Sequence, residues 1–284
     1  MVTPQGSNVG EMQEMFAAVS ELYARYWHDY FHVALFEGDE TWEAAFARTH
    51  QRYLRALRVP DSARILEMAC GRGGFSELMA SNTAGTVLGI DISDTQLARA
   101  HQRRLPNLSF QQMDVMEVHT LPGQFDAVAF MDAACYLPNR ALAIDRVAKV
   151  MRSGARLLWI DWCRSEGVNE LQEELVLDPF MRYWAIPSLE TGESYERHFA
   201  PWFRLLEAED LNHCTRRNWE FAYDSALRAV RELTLEELPA LLGSAVVTPE
   251  RVRLMKEQFP AALYIRAGFD AGFLRYKYYL LERR

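Results

Sequence analysis

The sequence predicts an α/β fold whose strands form one mostly parallel sheet. Three observations predict it. Short apolar runs alternate with helical patterns through the middle of the chain. A glycine-rich loop follows the first run. An acidic residue stands at the start of that loop, and two more close the second and third runs.

The elements follow in order. Arg64 to Ala69 reads as a strand and Gly74 to Ser81 as a helix. Thr86 to Asp91 is a second strand, and Asp94 to Arg104 is helical, with Ser93 or Asp94 as its cap. Leu108 to Asp114 is a third strand and Phe125 to Asp132 a fourth. Asn139 to Met151 is helical, and Arg156 to Cys163 is a fifth strand. Strands alternating with helices make a parallel sheet covered on both faces.

The flanks read differently. Glu11 to Leu57 is helical in pattern and rich in aromatic residues. Beyond Cys163 the pattern turns helical again, with a strand near Phe203 to Leu211 and a last one, Phe273 to Leu281, closing the sheet edge. The expected division is a helical cap over 1–60, a ligand-binding core over 61–165, and a helical lid with closing strands over 166–284. The flanks are expected to cover the carboxyl edge of the sheet, where open α/β sheets bind ligands.

Composition excludes some classes. A net charge of -8 over 284 residues argues against a broad nucleic-acid surface. No run spans a bilayer. Met1 to Gly10 is polar, so no leader is expected. Cys70, Cys135, Cys163 and Cys214 are scattered, and neither they nor the histidines show metal spacing. Reduced thiols, a cytoplasmic location and no resident metal follow as expectations. Homo-oligomerisation stays open.

Glu67-Met68-Ala69-Cys70-Gly71-Arg72-Gly73-Gly74 carries the strongest chemical signal. Gly71 and Gly73 let the backbone turn sharply beside a ligand. The next helix directs unpaired N–H groups at it, which suits a carboxylate. Glu67 suits an ammonium group or the loop amides. Asp91 ends the second strand, where a carboxylate accepts both ribose hydroxyls, and Ile92 lies against an adenine. Asp114 ends the third strand and suits the adenine amino group. Met113 and Val115 flank Asp114, and Met131 ends the fourth strand; with Ala69 they complete the candidate wall. A dinucleotide fits less well, because Ser76 stands at the third glycine position of its fingerprint. The ligand read from these residues is S-adenosylmethionine.

Further motifs carry a family resemblance. Trp27-x-x-x-Phe31-His32 looks like an aromatic Trp-Gly-x-Ser-Phe-His element. Cys70-Gly71-Arg72-Gly73-Gly74 is similar to Cys-Gly-x-Gly-Gly, and Ile92-Ser93-x-x-Gln96 follows Asp91. Asp132-Ala133-Ala134-Cys135-Tyr136-Leu137-Pro138 looks like Glu-Ala-Thr-Cys-His-Ala-Pro, and Asp161-Trp162-Cys163 is similar to a strand-ending Glu-Trp. Over Tyr23 to Cys163 the chain resembles class I methyltransferases, and within them the sterol side-chain and bacterial terpenoid C-methyltransferases. Ala69 replaces a usual glycine, Tyr136 a usual histidine, and His28 and Tyr30 the small Gly and Ser.

The resemblance implies a Rossmann-like fold with seven strands, S-adenosylmethionine as cofactor, and Gln96 among the cofactor-binding residues. It also implies C-methylation of an isoprenoid or terpenoid-like small hydrophobic acceptor in secondary metabolism, through a carbocation. Tyr23, Tyr26, Trp27, Tyr30, Phe31 and Tyr136 are the candidate aromatic wall. Trp27 and Phe31, four apart, are expected on one helix face, opening with His32 and Tyr136 on a single cavity. His32, Asp132 and Asp161 are candidate bases. An O- or N-methyltransferase of a small natural product, or a donor-binding cyclase that transfers no methyl, remains the alternative.

Overall fold

The computed structural model describes residues 9–27, 30, 32–242 and 247–284. Its centre is a seven-stranded sheet. The strands are β1 (Arg64–Met68), β2 (Thr86–Asp91), β3 (Leu108–Gln112), β4 (Phe125–Met131), β5 (Met151–Arg164), β6 (Phe203–Asp210) and β7 (Leu274–Arg283). Their order is β3-β2-β1-β4-β5-β7-β6. The first five are parallel, and β7 runs antiparallel to both neighbours.

The helices come in chain order: α1 (Val9–Tyr26), α2 (Trp42–Leu57), α3 (Gly74–Ser81), α4 (Asp94–Ala100) and α5 (Arg140–Lys149). After β5 come α6 (Glu170–Gln172), a π-helical turn (Glu173–Leu177), α7 (Asp178–Tyr183) and α8 (Gly192–Phe199). Between β6 and β7 lie α9 (Asn212–Glu232), α10 (Leu238–Leu241) and α11 (Pro249–Asp270).

Alternation along the strands builds two apolar layers. Ile65, Ala127, Ala129, Leu158 and Ile160 face one side, where Leu57 of α2 and Phe75 of α3 join them. Leu66, Val128, Phe130, Leu157 and Trp159 face the other, against Ile144 and Val147 of α5. Side-chain caps fix where the helices start. Thr41, Ser93 and Asn139 each accept a backbone N–H three residues on. Helix α1 packs away from the sheet: Met15, Leu22 and Tyr26 meet Leu254 and Met255 of α11.

Several readings of the sequence are corrected. The pattern from Glu11 to Leu57 is two helices, separated by non-helical chain at Trp27, Tyr30 and His32 to Thr41 among the described residues. Helix α4 stops at Ala100, short of Arg104, and α5 stops at Lys149. Met151 instead opens β5, five residues ahead of the expected Arg156. Strand β3 ends at Gln112, and Asp114 caps the following 3-10 turn. The last strand does not close the edge. It inserts between β5 and β6, which leaves β6 outermost. Strand β7 is buried along most of its length, so apolar alternation alone could not tell centre from edge.

Candidate active site

A cleft of about 860 Å³ opens at the carboxyl ends of β1, β2 and β4. The parallel strands place it there, because each strand delivers its next loop to that edge. Glu67, Ala69 and Gly71 from the β1 loop line it, as do Asp91, Ile92 and Gln96 after β2. Met113, Asp114 and Val115 follow β3 into the same wall, and Met131 and Asp132 follow β4. The three acids singled out in the sequence therefore share one cavity.

Gly73 does not line it. It turns the chain at φ 73°, and an added Cβ would sit 2.5 Å from the Phe110 ring. That glycine is required by the turn and by packing against β3, not by a ligand. Ala69 holds φ 52° without being glycine, a conformation that costs an L-residue roughly 1–2 kcal/mol.

Asp91 is buried, and it organises the loop. Its Oδ2 accepts the Gly71 N–H and its Oδ1 the Ser93 N–H, both at 2.8 Å. Burial raises its pKa, opposed by those backbone donors. The second lone pair on each oxygen is not engaged by these bonds. Asp114 Oδ1 accepts the Met116 N–H at 2.8 Å. Gln96 is buried beside Asp91, and its Oε1 has no partner.

Glu67 accepts a hydrogen bond from the Ser76 hydroxyl. Burial pushes its pKa up to about 8, with Ser76 pulling it down. Asp132 behaves alike. Burial lifts it to about 8, opposed by hydrogen bonds from the Tyr276 hydroxyl and the Trp162 indole, and its Oδ2 accepts the Val33 N–H at 3.0 Å. Both groups bind a proton in the folded chain that the unfolded chain releases near pH 4. Stability from them is thus complete below about pH 4 and is lost as pH rises towards 8. The slope is up to about 1.4 kcal/mol per pH unit for each group. Glu67→Gln is expected to remove one such slope, read from urea midpoints at pH 5 and pH 8. An unchanged slope would place its carboxyl in the ordinary range.

The candidate bases separate. His32 lines the cleft, but its Nε2 lies 2.9 Å from Nε2 of His50, which the sequence reading did not include. Burial and the neighbouring ring depress His32 to about 3, and burial depresses His50 to about 4, so both are neutral. Asp161 lines neither this cleft nor the chamber beside it. Its oxygens accept the Tyr195 hydroxyl at 2.5 Å and the Cys135 N–H at 3.1 Å. It is a buried anchor for the loop after β4, and its reading as a base is withdrawn.

The aromatic residues also divide. Tyr30 stays on the cleft, its ring over Gly74. Tyr23, Tyr26 and Trp27 line a smaller chamber of about 120 Å³. Tyr136, Asp132 and Phe16 line both spaces. Trp27 therefore does not share a cavity with His32, and it lies just beyond the end of helix α1. Phe31 itself lies outside the described residues. Sequence reasoning missed Gln13 and Phe16 on α1 and the segment Ile186 to Leu189, all on the cleft wall. The helical spacing of Phe16 and Tyr23 carried a usable signal; nothing local marked the 186–189 loop.

Among the described residues no three His, Cys, Asp or Glu side chains form a metal-holding group, and no helix is long and apolar enough to cross a membrane. All four cysteines are free and buried.

Residues 65–154 match the family model described as a methyltransferase domain. With this strand order and this cleft, the protein is a class I, S-adenosylmethionine-dependent methyltransferase. It is 27% identical to 27-O-demethylrifamycin SV methyltransferase of Amycolatopsis mediterranei, over 93% of this chain and 97% of that one. It is 24% identical to the chloroplastic tocopherol O-methyltransferase of Arabidopsis thaliana, over 72% of this chain but only 64% of that protein. The sterol 24-C-methyltransferase of Saccharomyces cerevisiae is 27% identical over 56% of this chain and 43% of its own length. In fold, the [4+2]-cyclase SpnF superposes with a TM-score of 0.76, at 19% identity, covering all of this chain and 97% of that one.

Proposed function

We propose that this enzyme transfers the methyl group of S-adenosylmethionine to an alkene carbon of a small hydrophobic, isoprenoid-like acceptor. One observation supports the reading above others. The cleft changes character along its length, from the carboxylates of Glu67, Asp91 and Asp114 to Met131, Tyr136, Ile186 and Leu189 at its β4 end. A charged nucleoside suits the first half, and an apolar acceptor suits the second.

In this reading Asp91 accepts the ribose hydroxyls, Ile92 faces the adenine, and Asp114 accepts the adenine amino group. Glu67 and the Ala69–Gly71 turn serve the amino-acid tail. Gln96, Met113, Val115 and Met131 complete that wall. The cofactor supplies a methyl group on a positively charged sulfur. An acceptor's π electrons would take that methyl as the carbon–sulfur bond breaks, leaving a neutral thioether. The charge passes to the acceptor, where Tyr30 and Tyr136 offer ring faces to a cation.

Asp132 then takes the proton. It follows β4 in the left-handed region, at φ 54°, with its carboxyl group at the junction of the two spaces. A positive charge held beside it would pull its raised pKa down and favour the carboxylate. His32, held neutral by burial and its histidine partner, is the poorer acceptor.

Transfer to a hydroxyl oxygen is the second reading. It is favoured by the rifamycin O-methyltransferase, which matches across nearly both whole chains. Asp132 would take the hydroxyl proton in the same position. Incubation with methyl-labelled donor and a panel of prenyl diphosphates, terpenes, sterols and phenols separates the two. Label on carbon, with a mass gain of one methylene unit, is the expected result. Label on phenolic oxygen alone gives the second reading, and an unlabelled isomer makes the protein a cyclase.

A further inference from the structure

The smaller chamber lies behind the edge-to-face pair of Phe16 and Tyr136, whose ring centroids are 5.5 Å apart. Two things create it. Ala222, Ala226 and Ala229 put small side chains on one face of α9, and the rings of Trp162, Trp184 and Trp219 meet there without filling the space left over. A volume of about 120 Å³ is close to that of an engineered cavity known to bind benzene, roughly 150 Å³.

Its wall is apolar but carries unsatisfied donors. Tyr23 and Gln258 satisfy each other at 3.2 Å. The indole N–H groups of Trp184 and Trp219 are buried with no hydrogen-bond partner, while that of Trp162 serves the Asp132 carboxyl group. Both of these indoles line this chamber. The Trp162 and Trp219 side chains are more than nine-tenths buried. Buried donors without partners are rare in folded chains, and a cluster of them around a space signals a missing acceptor. An apolar wall with spare donors fits a hydrophobic group that bears an oxygen.

We propose that this chamber is a second ligand subsite, taking an apolar group about the size of a six-membered ring that carries one hydrogen-bond-accepting oxygen. It deepens the reading of the neighbouring cleft, since the group belongs to the methyl acceptor and reaches the chamber past Phe16 and Tyr136. Carbonyl-bearing rings are preferred over hydrocarbons of equal size, because only they satisfy the indoles.

The test uses the full chain and two probes of matched size, cyclohexanone and methylcyclohexane. Tryptophan emission reports directly, since Trp27, Trp162, Trp184 and Trp219 line the chamber. Cyclohexanone should change the emission saturably and bind roughly tenfold or more tighter than methylcyclohexane, as an otherwise unpaired donor demands. The effect should persist with saturating S-adenosylhomocysteine. It should weaken at least tenfold in Ala226→Leu, whose added bulk fills the space, with S-adenosylhomocysteine affinity retained. Ala222→Leu gives the same readout if the first variant does not fold. Equal affinity for both probes would overturn the oxygen preference, and saturable binding of neither would make the chamber a packing space. Displacement by S-adenosylhomocysteine, or unchanged binding in both leucine variants, would overturn the subsite. Those failures leave donor binding intact, whereas loss of donor binding would strike the reading of the cleft instead.

Discussion

Asp91→Ala is expected to weaken S-adenosylhomocysteine binding by about two orders of magnitude or more, measured by calorimetry. The carboxylate has two duties. It receives the Gly71 and Ser93 N–H groups, which fixes the glycine turn against the end of β2. In the proposed complex it also accepts two ribose hydroxyls. Hydrogen bonds to a charged group contribute roughly 1.5–3 kcal/mol each, so losing two costs about 3–6 kcal/mol. That is at least a hundredfold in affinity. Asp114→Ala should cost less. In the proposed complex its side chain faces one amino group that water can also serve, and its visible task is a local cap on Met116. Unchanged affinity in Asp91→Ala would refute the ribose role.

Arg140→Ala is expected to destabilise the fold by about 3–5 kcal/mol, the usual cost of removing one partner from a buried charged network. The Arg140 guanidinium is buried and joins two walls of the cleft. It donates to Ala134 O at 3.1 Å and to Cys135 O on the loop that carries Tyr136. It also donates to the Ser188 hydroxyl at 2.6 Å and to Ser188 O at 2.5 Å on the facing segment. It is moreover a positive charge that, after the Tyr195 hydroxyl, favours ionised Asp161, whose pKa burial still lifts to about 6. Alanine leaves several buried acceptors unpaired and that charge unopposed. Arg140→Lys should recover part of the loss, because a point charge remains but the fork does not. Urea denaturation checks both variants, and a wild-type midpoint for Arg140→Ala would contradict the network.

Much of this was legible in the residues because it is local. The run Ile65-Leu66-Glu67-Met68-Ala69 before a glycine turn marks β1 whatever surrounds it. The acids at 67, 91 and 114 sit at strand ends by chain order alone, so parallel topology brings them together. Position within the sheet was not local. Strand β7 pairs with β5 through residues more than a hundred positions away, and only that pairing makes β6 the edge. The acceptor side failed for the same reason. Asp161 resembles a strand-end acid, yet Tyr195, 34 residues on, takes it out of reach of a ligand. His32 looked free until His50 was brought against it across the turn into α2. Trp27 follows the end of α1 at Tyr26 and opens on the smaller chamber, away from His32.

The central claim is that the cleft holds the methyl donor, and equilibrium binding tests it most directly. Titrating the full chain with S-adenosylmethionine, S-adenosylhomocysteine and NAD in one calorimetric series is the measurement. The first two should bind saturably and with one-to-one stoichiometry, each raising the melting temperature as a ligand of the folded state must, and NAD should do neither. Binding of NAD without binding of either sulfur nucleoside would contradict the account.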